Sequence, residues 1–147
     1  MPHNVPATLG ERAGAASDLL VAALGDWWRD DRRHWCAYCG IPMKRHYGPG
    51  RPIPPQKATR DHVIPRKHGG GSVRIPACFG CNQAKGALSV PEFLRSAYFE
   101  EVRTRKHRHQ WPVAHLWLVT ALAAVQRSGV AGPAARGAAA RRPPASV

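Results

Sequence analysis

The sequence predicts a small α+β domain, with a short β-containing centre stapled by four cysteines, one helix on its N-terminal side and further helices on its C-terminal side. Two Cys-x-x-Cys pairs, Cys36/Cys39 and Cys78/Cys81, bracket residues 40–77. Between them the chain is rich in glycine and proline and has only two short runs suited to strands. Outside them apolar residues recur at three- and four-residue steps, the spacing of one helix face. At 147 residues the chain has the length of one domain with a modest core.

Residues 1–7 carry two prolines and are expected to lack order. Thr8-Leu9-Gly10-Glu11 reads as a capping box, in which the Thr8 hydroxyl and the Glu11 carboxylate take up free backbone N–H groups. A packing helix follows to about Arg29. Its apolar face is Leu9, Ala13, Ala16, Leu20, Ala23, Leu24 and Trp27, with Trp28 at the edge. Residues 36–56 are loop with a knuckle at the cysteines. Lys57–Ile64 is the first strand candidate and ends at Pro65. His68 to Ser72 is a glycine-rich loop. Val73–Ala77 is the second strand candidate, interrupted late by Pro76. A helix starting around Gly80 to Asn82 reaches Ala87 or Leu88.

Ser89-Val90-Pro91-Glu92 is a second capping box and opens a helix to about Lys106. Trp111-Pro112 opens the last helix, which ends before Gly129. It is apolar almost all round, so it is buried or forms an interface. Residues 128–147 are Ala, Gly, Pro and Arg without an aromatic residue, the composition of a disordered basic tail. The expected organisation is a helical extension over 1–32, a central domain over 33–90, C-terminal helices over 91–127 and the tail over 128–147.

Lys and Arg number 22 against 9 Asp and Glu, a net charge of +13. Such an excess fits a polyanionic partner, with DNA, RNA or an anionic membrane surface as candidates. It is concentrated after Trp35: residues 36–90 contain one acid, Asp61. The longest apolar stretch, Val113–Val125, is too short to span a bilayer, which takes about 20 residues. The N-terminus lacks a basic region leading into an apolar run. A cytoplasmic protein with no membrane partner is the expectation, and four cysteines in a reducing compartment point to metal ligation.

Two CxxC knuckles supply four thiolates, a closed tetrahedral set that suits a structural zinc ion at Cys36, Cys39, Cys78 and Cys81. Two disulfides are the alternative, and within a CxxC they would be strained. The long gap means that something else is built between the knuckles. That insert holds Thr59-Arg60-Asp61-His62-Val63-Ile64-Pro65, and the second knuckle continues as Cys78-Phe79-Gly80-Cys81-Asn82-Gln83-Ala84-Lys85-Gly86. A DH pair at a strand end, a glycine-rich loop and then CxxCN-x-x-KG resemble the zinc-stapled HNH endonucleases over residues 33–90.

The resemblance implies a ββα-metal core in which two strands and a helix clasp one catalytic divalent cation. It implies Asp61 as a metal ligand, His62 as general base and Asn82 at the position of the family's last H or N. The chemistry of these groups agrees. His62 can take a proton from water near neutral pH. Asp61 and Asn82 offer hard oxygens suited to magnesium or manganese. Adjacent strand residues point to opposite faces, so a bend at the strand end is expected to bring Asp61 and His62 to one site.

In one place the chain departs from the family. Val73 or Arg74 stands where an Asn usually braces the loop of the general base, and Ser72 or a backbone carbonyl is the candidate replacement. His68 is a candidate spare ligand or base, against a solvent-facing loop histidine.

Lys85, Arg60, Arg66, Lys67 and Arg74 are the candidate nucleic-acid contacts. The run Arg103, Arg105, Lys106, Arg108, with His107 and His109, is either a second phosphate-binding patch or a solvated helix end. Trp35 and Tyr38 read as packing beside the zinc site. No base-reading module is recognisable, so little sequence specificity is expected. The sequence thus predicts a metal-dependent HNH endonuclease acting on DNA, by nicking or double-strand cleavage, with RNA left open and no small-molecule cofactor. The alternative is a noncatalytic zinc-dependent nucleic-acid-binding module. A secreted toxin nuclease fits the absent signal and the cysteines poorly, while small size and basicity suit a phage or mobile-element enzyme.

Overall fold

The structure, a computed structural model, describes residues 5–25, 34–46, 48–105 and 109–130. In chain order these are α1 (Leu9–Leu24), β1 (Ala58–His62), a 3-10 turn at Arg66–His68, β2 (Arg74–Cys78), α2 (Phe79–Lys85), α3 (Val90–Leu94), α4 (Ala97–Thr104) and α5 (Val113–Val130). This is the mixed class expected, and β1, β2 and α2 form its ββα core.

β1 and β2 pair antiparallel, from Ala58 opposite Cys78 to His62 opposite Arg74. Both strands are shorter or shifted relative to the sequence reading. Pro76 does not end β2, and the reason lies in its orientation. Its carbonyl accepts the Ala37 N–H at 2.9 Å, so the backbone polar groups of Pro76 point away from β1. The missing N–H therefore removes no bond from the two-stranded ladder. Cys78 is both the last residue of β2 and the N-cap of α2, with the Cys81 N–H on its sulfur at 3.4 Å. The helix thus starts at Phe79, earlier than expected, and Gly86 at φ +48° ends it.

Thr8 and Glu11 form the expected capping box at α1, with bonds of 3.1 and 2.7 Å. The helix is described to Leu24. The expected extension to Arg29, with Trp27 and Trp28, lies outside the described residues. Leu20, Val21 and Leu24 pack into the core, but Leu9 is 71% exposed, contrary to its expected place on the buried face. The small residues Gly10, Ala13 and Gly14 leave a hollow of about 540 Å³ between this end of α1, the glycine loop and α5.

The single helix expected from Ser89 to Lys106 is two. Ser96 interrupts it: its hydroxyl donates to the Phe93 carbonyl at 2.6 Å and accepts the Phe99 N–H at 3.1 Å, capping a new helix. The second capping box, at Ser89 and Glu92, is present.

α5 runs through Gly129 and packs on α1. It is buried along one face only: Leu116, Val119 and Leu122 are fully buried, while Val113 and Trp117 are exposed. Each such leucine contributes roughly 1.5–3 kcal/mol. The predicted tail from 131 onward lies outside the described residues, as do Lys106, His107 and Arg108. Among the described residues no helix is long and apolar enough to cross a membrane.

Candidate nuclease site

The first knuckle is a tight turn closed by Cys36 N–H to the Ile41 carbonyl at 3.0 Å and Gly40 N–H to the Cys36 carbonyl at 2.8 Å. Gly40 takes φ +75°, a region that favours glycine. The second knuckle is the β2–α2 junction. Together they bring the four sulfurs within 4.8 Å of one another, all buried. Cys39 and Cys78 Sγ are 3.8 Å apart, the edge of a tetrahedron with metal–sulfur bonds of about 2.3 Å. All four are free thiols, not disulfides. Burial pushes the Cys36 thiol up, while its contacts hold Cys39 and Cys78 below the ordinary thiol range. The donor set and its spacing fit zinc.

β1 carries Asp61 and His62 to the edge of this cluster. Asp61 is the one buried residue of β1, 3% exposed, while Ala58, Thr59, Arg60 and His62 are half-buried. Pairing with β2 continues through His62. The Asp61 carboxylate is held by two groups that the sequence reading did not assign to it. The Tyr38 hydroxyl donates to Oδ2 at 2.6 Å, and the Lys85 ammonium lies 3.3 Å from Oδ2 and 3.4 Å from Oδ1. Burial pushes the Asp61 carboxyl above its ordinary range, opposed by Lys85 and by the tyrosine hydrogen bond. Burial, with Arg66 and Arg74 nearby, holds the His62 imidazole below its usual value and so favours the neutral ring.

Arg60, Asp61, His62 and Asn82 all line one open hollow of about 380 Å³, with Pro65, Arg66 and Lys67 as part of its wall. Asn82 Nδ2 donates to Thr59 Oγ1 at 2.9 Å. Asn82 and Asp61 are the lining residues whose side chains carry hard oxygens. Two oxygens with about four acceptor positions, three of them in contact with Tyr38 and Lys85, leave Asp61 room for a further partner. The donor chemistry therefore fits a divalent cation.

Several expected contacts are corrected. Lys85 does not reach a phosphate: it is 1% exposed, bonded to Asp61 and to the His62 carbonyl at 3.3 Å. Its four-carbon stem lies in the core because α2 packs that face onto β1. By contrast, Arg74 is exposed opposite His62, and its charge acts on that ring. Arg103 turns inward, donating to the Trp111 carbonyl at 2.7 Å and lying 4.8 Å from the Phe99 ring centre. His109 stacks on Trp35 at 3.9 Å.

The glycine loop has its own supports. Val73 is buried and its carbonyl accepts the Val63 N–H at 3.1 Å, which closes the loop at its base. Ser72 does not brace His62; its hydroxyl donates to Gln126 Oε1 at 3.3 Å. His68 Nε2 lies 3.1 Å from the Ala87 carbonyl, and the residue is not among those that line the hollow. Arg127 of α5 donates to the His68 carbonyl.

Tyr38 and Thr59, which hold Asp61 and Asn82, are thus residues that sequence reasoning did not assign to the site. Only Thr59 left a signal, since it lies two positions before Asp61 on the same strand face.

The HNH endonuclease family model matches residues 36–88 of the chain. That segment spans both knuckles, β1, β2 and α2. No curated protein and no solved structure gave a match.

Proposed function

We propose, from the HNH match over residues 36–88, that the protein is a metal-dependent endonuclease that hydrolyses DNA phosphodiester bonds with little sequence specificity. The observation that carries this reading is that His62, Asp61 and Asn82 line one hollow whose wall also carries Arg60, Arg66 and Lys67. Cys36, Cys39, Cys78 and Cys81 would hold a structural zinc ion. Asp61 and Asn82 would hold a magnesium or manganese ion, which when bound supplies Lewis-acid stabilisation of the phosphate and the leaving oxygen.

The chain's own residues do the rest. Arg60, Arg66 and Lys67 draw a phosphate backbone into the hollow by charge. The neutral His62 ring takes a proton from the attacking water. The buried Lys85 keeps Asp61 balanced in charge within the core.

Cleavage of supercoiled plasmid with magnesium, manganese or EDTA, beside His62→Ala, tests the reading. Divalent-dependent nicking or linearisation that vanishes in the variant is expected. The second reading, a zinc-dependent module that binds nucleic acid without cutting it, is favoured by one observation: Lys85 already compensates Asp61. A wild type that retards DNA in a gel and cuts with neither ion would overturn the nuclease reading in favour of this one. Preference for an RNA substrate in the same assay would correct the substrate class.

A further inference from the structure

Asp61 is gripped from both knuckles. Tyr38 lies between Cys36 and Cys39 in the first, and Lys85 follows Cys81 by one helical turn in the second. The Tyr38 side chain is completely buried. A buried phenol must find an acceptor, and this one meets Asp61 Oδ2 at 2.6 Å, the length of a charge-assisted bond. The ring is fixed by an edge contact with Phe93, centroids 4.9 Å apart. The backbone beside it is fixed too: the Ala37 N–H goes to Pro76 and the Ala37 carbonyl receives the Trp111 N–H at 2.9 Å. The hydroxyl is thus held in place by the turn that presents the cysteines, and it fixes one oxygen of the carboxylate of Asp61, a residue that lines the hollow.

We propose that Tyr38 is a positioning residue for DNA cleavage, acting through Asp61 so that the order of the cysteine cluster is passed to the site. This rests on the nuclease reading. It adds a role for a residue whose position inside a CxxC turn otherwise suggests packing alone. Tyr38 is not among the residues that line the hollow, and its hydroxyl bonds to Asp61. Its loss should leave substrate binding intact and reduce turnover, because the carboxylate is free to rotate between the hollow and Lys85.

The test is Tyr38→Phe in the full-length, zinc-loaded chain, with Leu122→Ala in α5 as a packing control that leaves Tyr38 and its ring contact with Phe93 in place. Zinc content, melting temperature, kcat and KM on supercoiled plasmid, and manganese binding without DNA are measured for each. For Tyr38→Phe the expected result is unchanged zinc, kcat lower by about 10-fold or more, KM within about 2-fold and weaker manganese binding. Leu122→Ala should lower the melting temperature and leave manganese binding unchanged. Wild-type kcat and manganese binding in Tyr38→Phe would overturn the proposal, as would a loss of turnover that tracks loss of zinc. A wild type that does not cut overturns the nuclease reading and this inference with it; a cutting wild type with an equally active variant overturns the inference alone.

Discussion

The Asn82 side chain donates to Thr59 Oγ1 at 2.9 Å, and the Thr59 hydroxyl gives its own proton to the Ala77 carbonyl at 2.6 Å. The threonine has one proton and has already spent it, so it can only accept from Asn82. That sets which end of the amide meets Thr59 and leaves Oδ1 as the atom that would ligate a cation under the proposed nuclease function. Thr59→Val removes the acceptor and lets the amide turn over. Its expected effect is a loss of about 10-fold in cleavage with a higher manganese requirement, while Thr59→Ser stays within a few-fold of wild type. Initial rates across a manganese titration check this.

Zinc removal should unfold the centre of the molecule. The two strands and a seven-residue helix are too small to stand without the cysteine cluster. Structural zinc is worth about 10–16 kcal/mol of apparent folding free energy in small domains. A strong chelator, or Cys78→Ser, should abolish the cooperative thermal transition of this region, and added magnesium should not restore cleavage. Circular dichroism melts with and without the chelator measure it.

The pH dependence follows from His62. Burial and the neighbouring Arg66 and Arg74 hold its proton affinity below the ordinary histidine value. The cleavage rate should therefore rise with pH, with the midpoint of its acidic limb below the ordinary histidine value of about 6.5. Arg66→Gln relieves the repulsion and should move the acidic limb to higher pH. For stability the sign is the same: the folded chain binds this proton less readily than the unfolded chain. Acidification through the interval from the unfolded to the folded value therefore removes stability. A pH–rate profile and denaturant melts across that interval test both statements.

Lys85 and Lys67 should behave as opposites despite their like charge. Lys67→Gln is expected to weaken DNA binding and to reduce the slope of log affinity against log salt by about one. Lys85→Met leaves Asp61 buried without its counter-charge and should cost about 3–5 kcal/mol of stability with no change in that slope. Binding isotherms at several salt concentrations, with denaturant unfolding, separate the two.

Much of the centre was legible because its signals are local. The two CxxC pairs, the DH at the end of a strand, and the Thr8 and Ser89 capping boxes are short patterns whose chemistry is set by neighbours in sequence. The break at Ser96 was hidden because the apolar spacing continues across it. Only the bond from its hydroxyl to Phe93 marks a new helix start. The strand through Pro76 was hidden for another reason: which edge its nitrogen faces depends on Ala37, far away in the chain. Tyr38 and Lys85 each meet Asp61 more than 20 residues off in sequence, and nothing local tells a buried lysine from a phosphate-binding one.

The Arg127 bond to the His68 carbonyl reaches the glycine loop from outside residues 36–88. Gly69 is moulded to it, since a Cβ there would stand 2.5 Å from the guanidinium. Leu24 of α1 is buried in the same core as Leu122 of α5. The transplantable unit of this protein is accordingly larger than its recognisable motif. A fragment cut at residue 88 and grafted onto another carrier would take the chemistry and leave behind the helix that steadies the loop beside it. Grafts intended to work as modules should carry the chain through at least Arg127.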